Sequence, residues 1–167
     1  MFKVGDRVVH PLHGVGVIED VTTQKIKGEV RSYYVFRALN DALVVLIPES
    51  SYESIGVRPV MDESAAQKIL EDLSEPMGLS EENWNRRYRS NMERLRSGKP
   101  EETAYVVRML MRREYERSLS DGERKMLSAA KRNLFSELSL VTGLSEKVLE
   151  GKILSSFTPK TDTENGK

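Results

Sequence analysis

The residues best suited to chemistry lie in one short stretch, NWNRRYR, at positions 83–89. It holds the single tryptophan of the chain, Trp84, between Asn83 and Asn85, followed by Arg86, Arg87, Tyr88 and Arg89. A planar apolar ring among guanidinium groups suits a stacked, anionic partner. Arginine neutralises phosphate while the ring enters a minor groove or an unstacked base step. A second use of the same residues competes with this one. Trp84, Tyr88, Asn91 or Met92, and Leu95 recur at helical spacing, and such a stripe ordinarily packs on a core. The stretch by itself leaves both uses open.

Other stretches carry less. His10 and His13 form an H-x-x-H pair in VHPLHG, but Pro11 and Gly14 make that segment a turn, and the chain has neither a third histidine nor any cysteine. No metal is expected there. Gly14 to Gly16 lacks the frame of a phosphate-binding loop and the helix that must follow it. Tyr33, Tyr34 and Phe36 alternate along a strand, which sends Tyr34 and Phe36 to one face and Tyr33 to the other, so they do not make an aromatic cage. No catalytic triad, paired-acid site or cofactor fingerprint stands out. The expectation is a protein without cofactor or metal that is not an enzyme.

Composition bounds the class. The 167 residues are 38% hydrophobic and 31% charged, enough for one domain or two small ones with modest cores. No apolar run approaches the length of a membrane span, and the N-terminus lacks the apolar segment of a signal peptide. With no cysteine, a reducing, cytoplasmic setting is expected. The formal net charge is zero, yet its distribution is uneven. Residues 61–82 carry one lysine and seven acids, whereas residues 83–132 carry fourteen Lys and Arg against seven acids. A basic segment of this kind points to an anionic partner, or else to a solvated helical surface laced with ion pairs.

The elements that must position these residues fall into two sets. Residues 6–10, 14–23, 30–39, 42–48 and 55–60 are short strand candidates separated by turn residues, including Lys27-Gly28 and Asn40-Asp41. Strands this short and close imply a small, strongly bent sheet or barrel. After Met61 the apolar period becomes helical. Asp62 caps a first helix with Ala65, Ile69, Leu70 and Leu73 as its stripe. Ser80, followed by Glu81 and Glu82, caps a second helix that ends at Gly98. Pro100 opens a third with Ala104, Val107, Leu110 and Met111 inward. Ser120 to Glu123 is a capping box for a long fourth, with Leu127, Ala130, Leu134, Leu138 and Val141 inward. Ser145 caps a fifth. The fold class is α+β: a bent β-sheet domain over 1–60, an all-α helical bundle over 61–156, and a polar, disordered tail over 157–167.

Two motifs now become recognisable together. FKVGDRVVHPLHGVGVI followed by IKGE resembles the start of the CarD/CdnL family of bacterial transcription regulators and is similar to the polymerase-interacting domain of transcription-repair coupling factors. The Trp-Arg-Arg-Tyr block with LSDGERKML resembles the helical domain of the same family. The resemblance covers residues 2–155. It implies a Tudor/SH3-like N-terminal domain that docks on the RNA polymerase β subunit. It also implies a helical domain at the upstream edge of the melted promoter, where Trp84 matches the family's minor-groove wedge and Asn83, Arg86, Arg87 and Arg89 match its surroundings. Some members carry basic side chains where this chain has Gln24 and Leu46, with Lys25 adjacent, so the apolar edge around Val44 and Leu46 takes more weight in docking. The expectation is a cytoplasmic, monomeric regulator that stabilises the open promoter complex, binds promoter DNA weakly by itself and has no membrane partner. The alternative is a free-standing, sequence-specific repressor, although no helix-turn-helix with base-reading residues is evident.

Overall fold

The computed structural model describes residues 1–75 and 83–157. The expected Ser80 cap with Glu81 and Glu82 lies outside them, as does the expected tail from residue 158 onward.

The first sixty residues form a five-stranded antiparallel sheet in the order β4-β3-β2-β1-β5. The strands are β1 (Arg7–His10), β2 (Gly14–Ile26), β3 (Glu29–Ala38), β4 (Val44–Pro48) and β5 (Arg58–Pro59). The β2–β3 hairpin closes on two residues, Lys27 and Gly28, whose φ values of 51° and 85° are both positive. That is the primed turn whose twist matches the strands on either side. A register shift between Ile18 and Asp20 lets the long hairpin bend. The concave face buries Val8, Ile18, Tyr34, Phe36, Ala38 and Ile47, with Phe2 and Val57. At Gly16 a Cβ would stand 2.3 Å from the Phe36 ring and 2.4 Å from the Arg37 carbonyl oxygen, so only glycine lets the strands close there.

The last expected strand, 55–60, is mostly something else. A one-turn helix, α1 (Tyr52–Ile55), precedes it and ends on Gly56 in the left-handed region. Pro59 has no N–H to give, and pairing with β1 is limited to Val8↔Pro59 and Val9↔Arg58.

Five longer helices follow among the described residues: α2 (Glu63–Ser74), α3 (Trp84–Arg96), α4 (Pro100–Glu116), α5 (Asp121–Thr142) and α6 (Glu146–Ser155). Asp62, Ser120 and Ser145 cap α2, α5 and α6 through their side chains. Asn83 caps α3 by accepting the Arg86 N–H. The buried stripe of α2 is Ala66, Ile69 and Leu73 rather than one beginning at Ala65. Its members join Leu110, Leu127, Leu134, Phe135, Leu138, Leu149 and Ile153 in a second core. Phe157, expected in the tail, is buried in that core, and Arg112 donates to its carbonyl oxygen at 3.2 Å.

The two cores meet through polar contacts. Glu137 of α5 is 1% exposed, and its carboxylate accepts from the Arg58 guanidinium at 2.6 and 2.8 Å and from the Met61 N–H at 2.8 Å. Arg58 also donates to the Gly98 carbonyl at 2.8 Å, which ties β5 to the turn between α3 and α4. Asn133 donates to the Pro11 carbonyl at 3.0 Å, and Asn40 bonds Ser136.

His10 sits in this junction. Its Nδ1 accepts the Leu12 N–H at 3.1 Å, and its ring lies 4.5 Å from that of His13. Burial, and then the neighbouring His13, push its pKa down to about 4. The unfolded chain therefore takes up a proton near pH 6.5 that the folded protein refuses until about pH 4. Stability is expected to decline as pH falls across that window. His10→Gln should flatten that part of the profile, as followed by the thermal unfolding midpoint between pH 7 and 4.

Candidate nucleic-acid interface

Trp84 is the first residue of α3, and its environment answers the question its neighbours raise. Trp84 is 44% exposed, at the outer end of a stripe whose other members, Tyr88, Met92 and Leu95, pack against the helical core. One face of the indole stacks on Tyr88, with ring centroids 5.2 Å apart and 21° between planes. Tyr88 in turn lies against Gly122, where a Cβ would come within 3.3 Å of its ring. The indole N–H donates to Ser120 Oγ at 2.9 Å. The tryptophan is thus fixed on one face and at its nitrogen while nearly half of it stays open to solvent.

The three arginines do not act alike. At 100° per residue, side chains at 86, 87 and 89 cannot share one helix face. Arg86 and Arg89 are exposed. Arg87 is 6% exposed and turns inward, where Nε donates to Glu123 Oε2 at 2.9 Å and a terminal nitrogen to Oε1 at 3.1 Å. This corrects the expectation that all three surround a nucleic acid: Arg87 is a structural cation of the α3–α5 contact. Asn83 is likewise engaged as the α3 cap.

Glu123 belongs to the capping box of α5 and is 1% exposed. Burial alone would raise its pKa, but the hydrogen bonds and charge of Arg87, with Ser120 behind them, hold it below the ordinary carboxylate value. The Ser120–Glu123 box was legible as a cap. Its attachment to Trp84 and Arg87 was not, because those partners lie 36 residues away.

The rest of the basic segment divides the same way. Arg94 pairs with Glu102 at 2.6 Å and lies over Tyr105, Lys131 pairs with Glu150 at 2.6 Å, and Arg112 pairs with Glu116. For these residues the ion-paired helical surface is the right description. The starts of α3 and α5 meet at Trp84 and Ser120, so the positive ends of two helix dipoles converge near the indole.

The residues expected to meet polymerase lie elsewhere. β4 is an edge strand, paired among the described residues with β3 alone. Val44 and Leu46 are exposed, while Ile47 is buried. The register pairs Val44 with Arg37, Leu46 with Val35 and Gln24 with Arg31, which places all three on one outer face of the sheet. Lys25 pairs with Val30 and belongs to the opposite face.

Comparison with known proteins gives this arrangement its relatives. Residues 2–61 match the family model of the CarD-like/TRCF RID domain, and residues 68–154 match that of the CarD C-terminal domain. The "Putative transcription factor YdeB" of Bacillus subtilis (strain 168) is 36% identical over 150 residues, covering 90% of this chain and 98% of YdeB. A solution NMR structure of the 72-residue N-terminal domain of Myxococcus xanthus CarD is 34% identical, covers 35% of this chain and 79% of that one, and superposes with a TM-score of 0.31. The chain belongs to the CarD family. It is a transcription regulator that interacts with RNA polymerase, built from a five-stranded antiparallel sheet followed by helices.

Losing one partner of the buried pair strands the other charge, so Arg87→Ala is expected to cost about 3–5 kcal/mol in folding stability. Arg86→Ala should change stability by less than about 0.5 kcal/mol. Chemical denaturation of the two variants side by side checks the assignment.

Proposed function

We propose that this protein docks on the RNA polymerase β subunit through the outer face and free edge of its sheet, and stabilises the open promoter complex by wedging Trp84 at the upstream edge of the bubble. The observation that carries the reading is the presentation of Trp84: an indole anchored on one face and at its nitrogen, half open to solvent, with Arg86 and Arg89 exposed on the same helix start. An apolar ring inserted at a base step opposes re-stacking, while the arginines hold the adjoining phosphates. Val44, Leu46 and Gln24 supply a face, and the unpaired side of β4 supplies backbone groups to which a partner strand can add. The protein acts as a cytoplasmic monomer in this scheme, without catalysis or cofactor.

Trp84→Ala should leave the folding cost well under the roughly 3–5 kcal/mol of a core aromatic. It should also make the opened promoter collapse faster in the presence of polymerase, with Trp84→Phe keeping part of the effect. A large fall in melting temperature with an unchanged promoter lifetime would return Trp84 to the core. Leu46→Glu, a substitution on an exposed side chain, should weaken retention of the full chain by immobilised polymerase and leave its unfolding midpoint unchanged. The free protein should bind duplex DNA weakly, with little sequence preference and a steep fall with salt. Tight, salt-resistant binding to one operator would instead support the free-standing repressor.

A further inference from the structure

The contacts of Ser120 go beyond those of a helix cap. A serine hydroxyl has one proton to donate and two lone pairs to accept with. Here all three are committed. The proton goes to Glu123 Oε1 at 3.2 Å, while the oxygen accepts the Glu123 N–H at 3.2 Å and the Trp84 indole N–H at 2.9 Å. Glu123 is itself fixed by the two-point contact with the buried Arg87. The acceptor that meets the indole is therefore aimed by a chain of polar contacts ending in the interior, and Tyr88, seated on Gly122, closes the ring from one side.

We propose that Ser120 is a positioning residue for the promoter wedge: held by Glu123 and Arg87, its hydroxyl fixes the indole N–H of Trp84 and sets the orientation in which the ring meets DNA. The inference rests on the wedge reading of Trp84 given above. It adds two things. The orientation of the wedge is determined from the start of α5, not by α3 alone. The indole N–H is also already spent within the protein, so Trp84 offers DNA an apolar surface and no hydrogen-bond donor. A wedge of that kind cannot distinguish bases through their acceptor atoms.

The test uses the full chain with polymerase and a promoter, and compares Ser120→Ala and Ser120→Thr in the Trp84 and Trp84→Phe backgrounds. Ser120→Ala removes the helix cap in both backgrounds, but the indole bond exists only in the first, so the difference between them isolates that bond. Ser120→Ala is expected to shorten the open-complex lifetime roughly two- to tenfold with Trp84 present, the range of one net hydrogen bond, and to add nothing once Trp84 is Phe. Ser120→Thr, which keeps a hydroxyl, should retain the lifetime. Because the chain has one tryptophan, selectively excited emission from the free protein reports the same ring: its anisotropy should fall in Ser120→Ala and hold in Ser120→Thr. Equal effects of Ser120→Ala in both backgrounds, with unchanged anisotropy, would overturn the positioning role while leaving the wedge intact. An open-complex lifetime indifferent to Trp84→Ala would overturn the wedge, and the positioning role with it.

Discussion

Glu137 lies inside α5 with both carboxylate oxygens committed to Arg58 and Met61, and Glu123 repeats the arrangement with Arg87 almost four turns earlier. A carboxylate taken out of water is costly, and only a well-placed cation with further donors offsets the loss. Such a pair adds little to net stability over an apolar substitute, but it tolerates very little displacement. One pair determines where the sheet sits on the helices. The other determines where α3 sits on α5. Both acids belong to the same helix, so the sheet and the tryptophan are referred to one rod.

The division of arginines follows from the same constraint. Charge was concentrated in residues 83–132, but charge alone does not say which cations face solvent. Arg87 and Asn91 fall on the inward side of α3, in phase with Tyr88 and Leu95, and both are buried. Arg94, Arg112 and Lys131 are held by carboxylates. Of the arginines in the NWNRRYR block, Arg86 and Arg89 stay exposed, a smaller set than the block's composition implies.

Much of the architecture was legible because local signals agreed with one another. The capping box at Ser120, the glycine stops at 98 and 143, the Lys27-Gly28 turn and the inward residues of α4 all follow from short-range chemistry. The one-turn helix at Tyr52–Ile55 was not legible, because four residues are too few to show a helical apolar period. Nor were the buried ion pairs read, although a trace of them is present. Glu123, Leu127, Ala130, Leu134 and Glu137 follow one another at spacings of four and three, so two acids occupy positions of the apolar stripe. A charged residue in phase with a core stripe marks a partner elsewhere in the chain, and only the folded arrangement names it. The site was half legible for a related reason: type and spacing located Trp84, but its exposure depends on Tyr88 and Ser120 meeting it from two helices.

The unbroken helix between Glu123 and Glu137 also governs how this chain can change in length. Fourteen residues at 1.5 Å each separate the two anchors by about 21 Å, and α5 runs through that interval as one continuous helix without a proline. One residue inserted there would turn one anchor by about 100° relative to the other and separate them by a further 1.5 Å. Either Arg58 or Arg87 would then lose its carboxylate. Turns that do not touch α5, such as the hairpin tip at Lys27-Gly28, carry no such phase requirement, whereas Asn40 is held by Ser136. Relatives of different length are accordingly expected to place their insertions in those turns and to keep the interval within α5 constant.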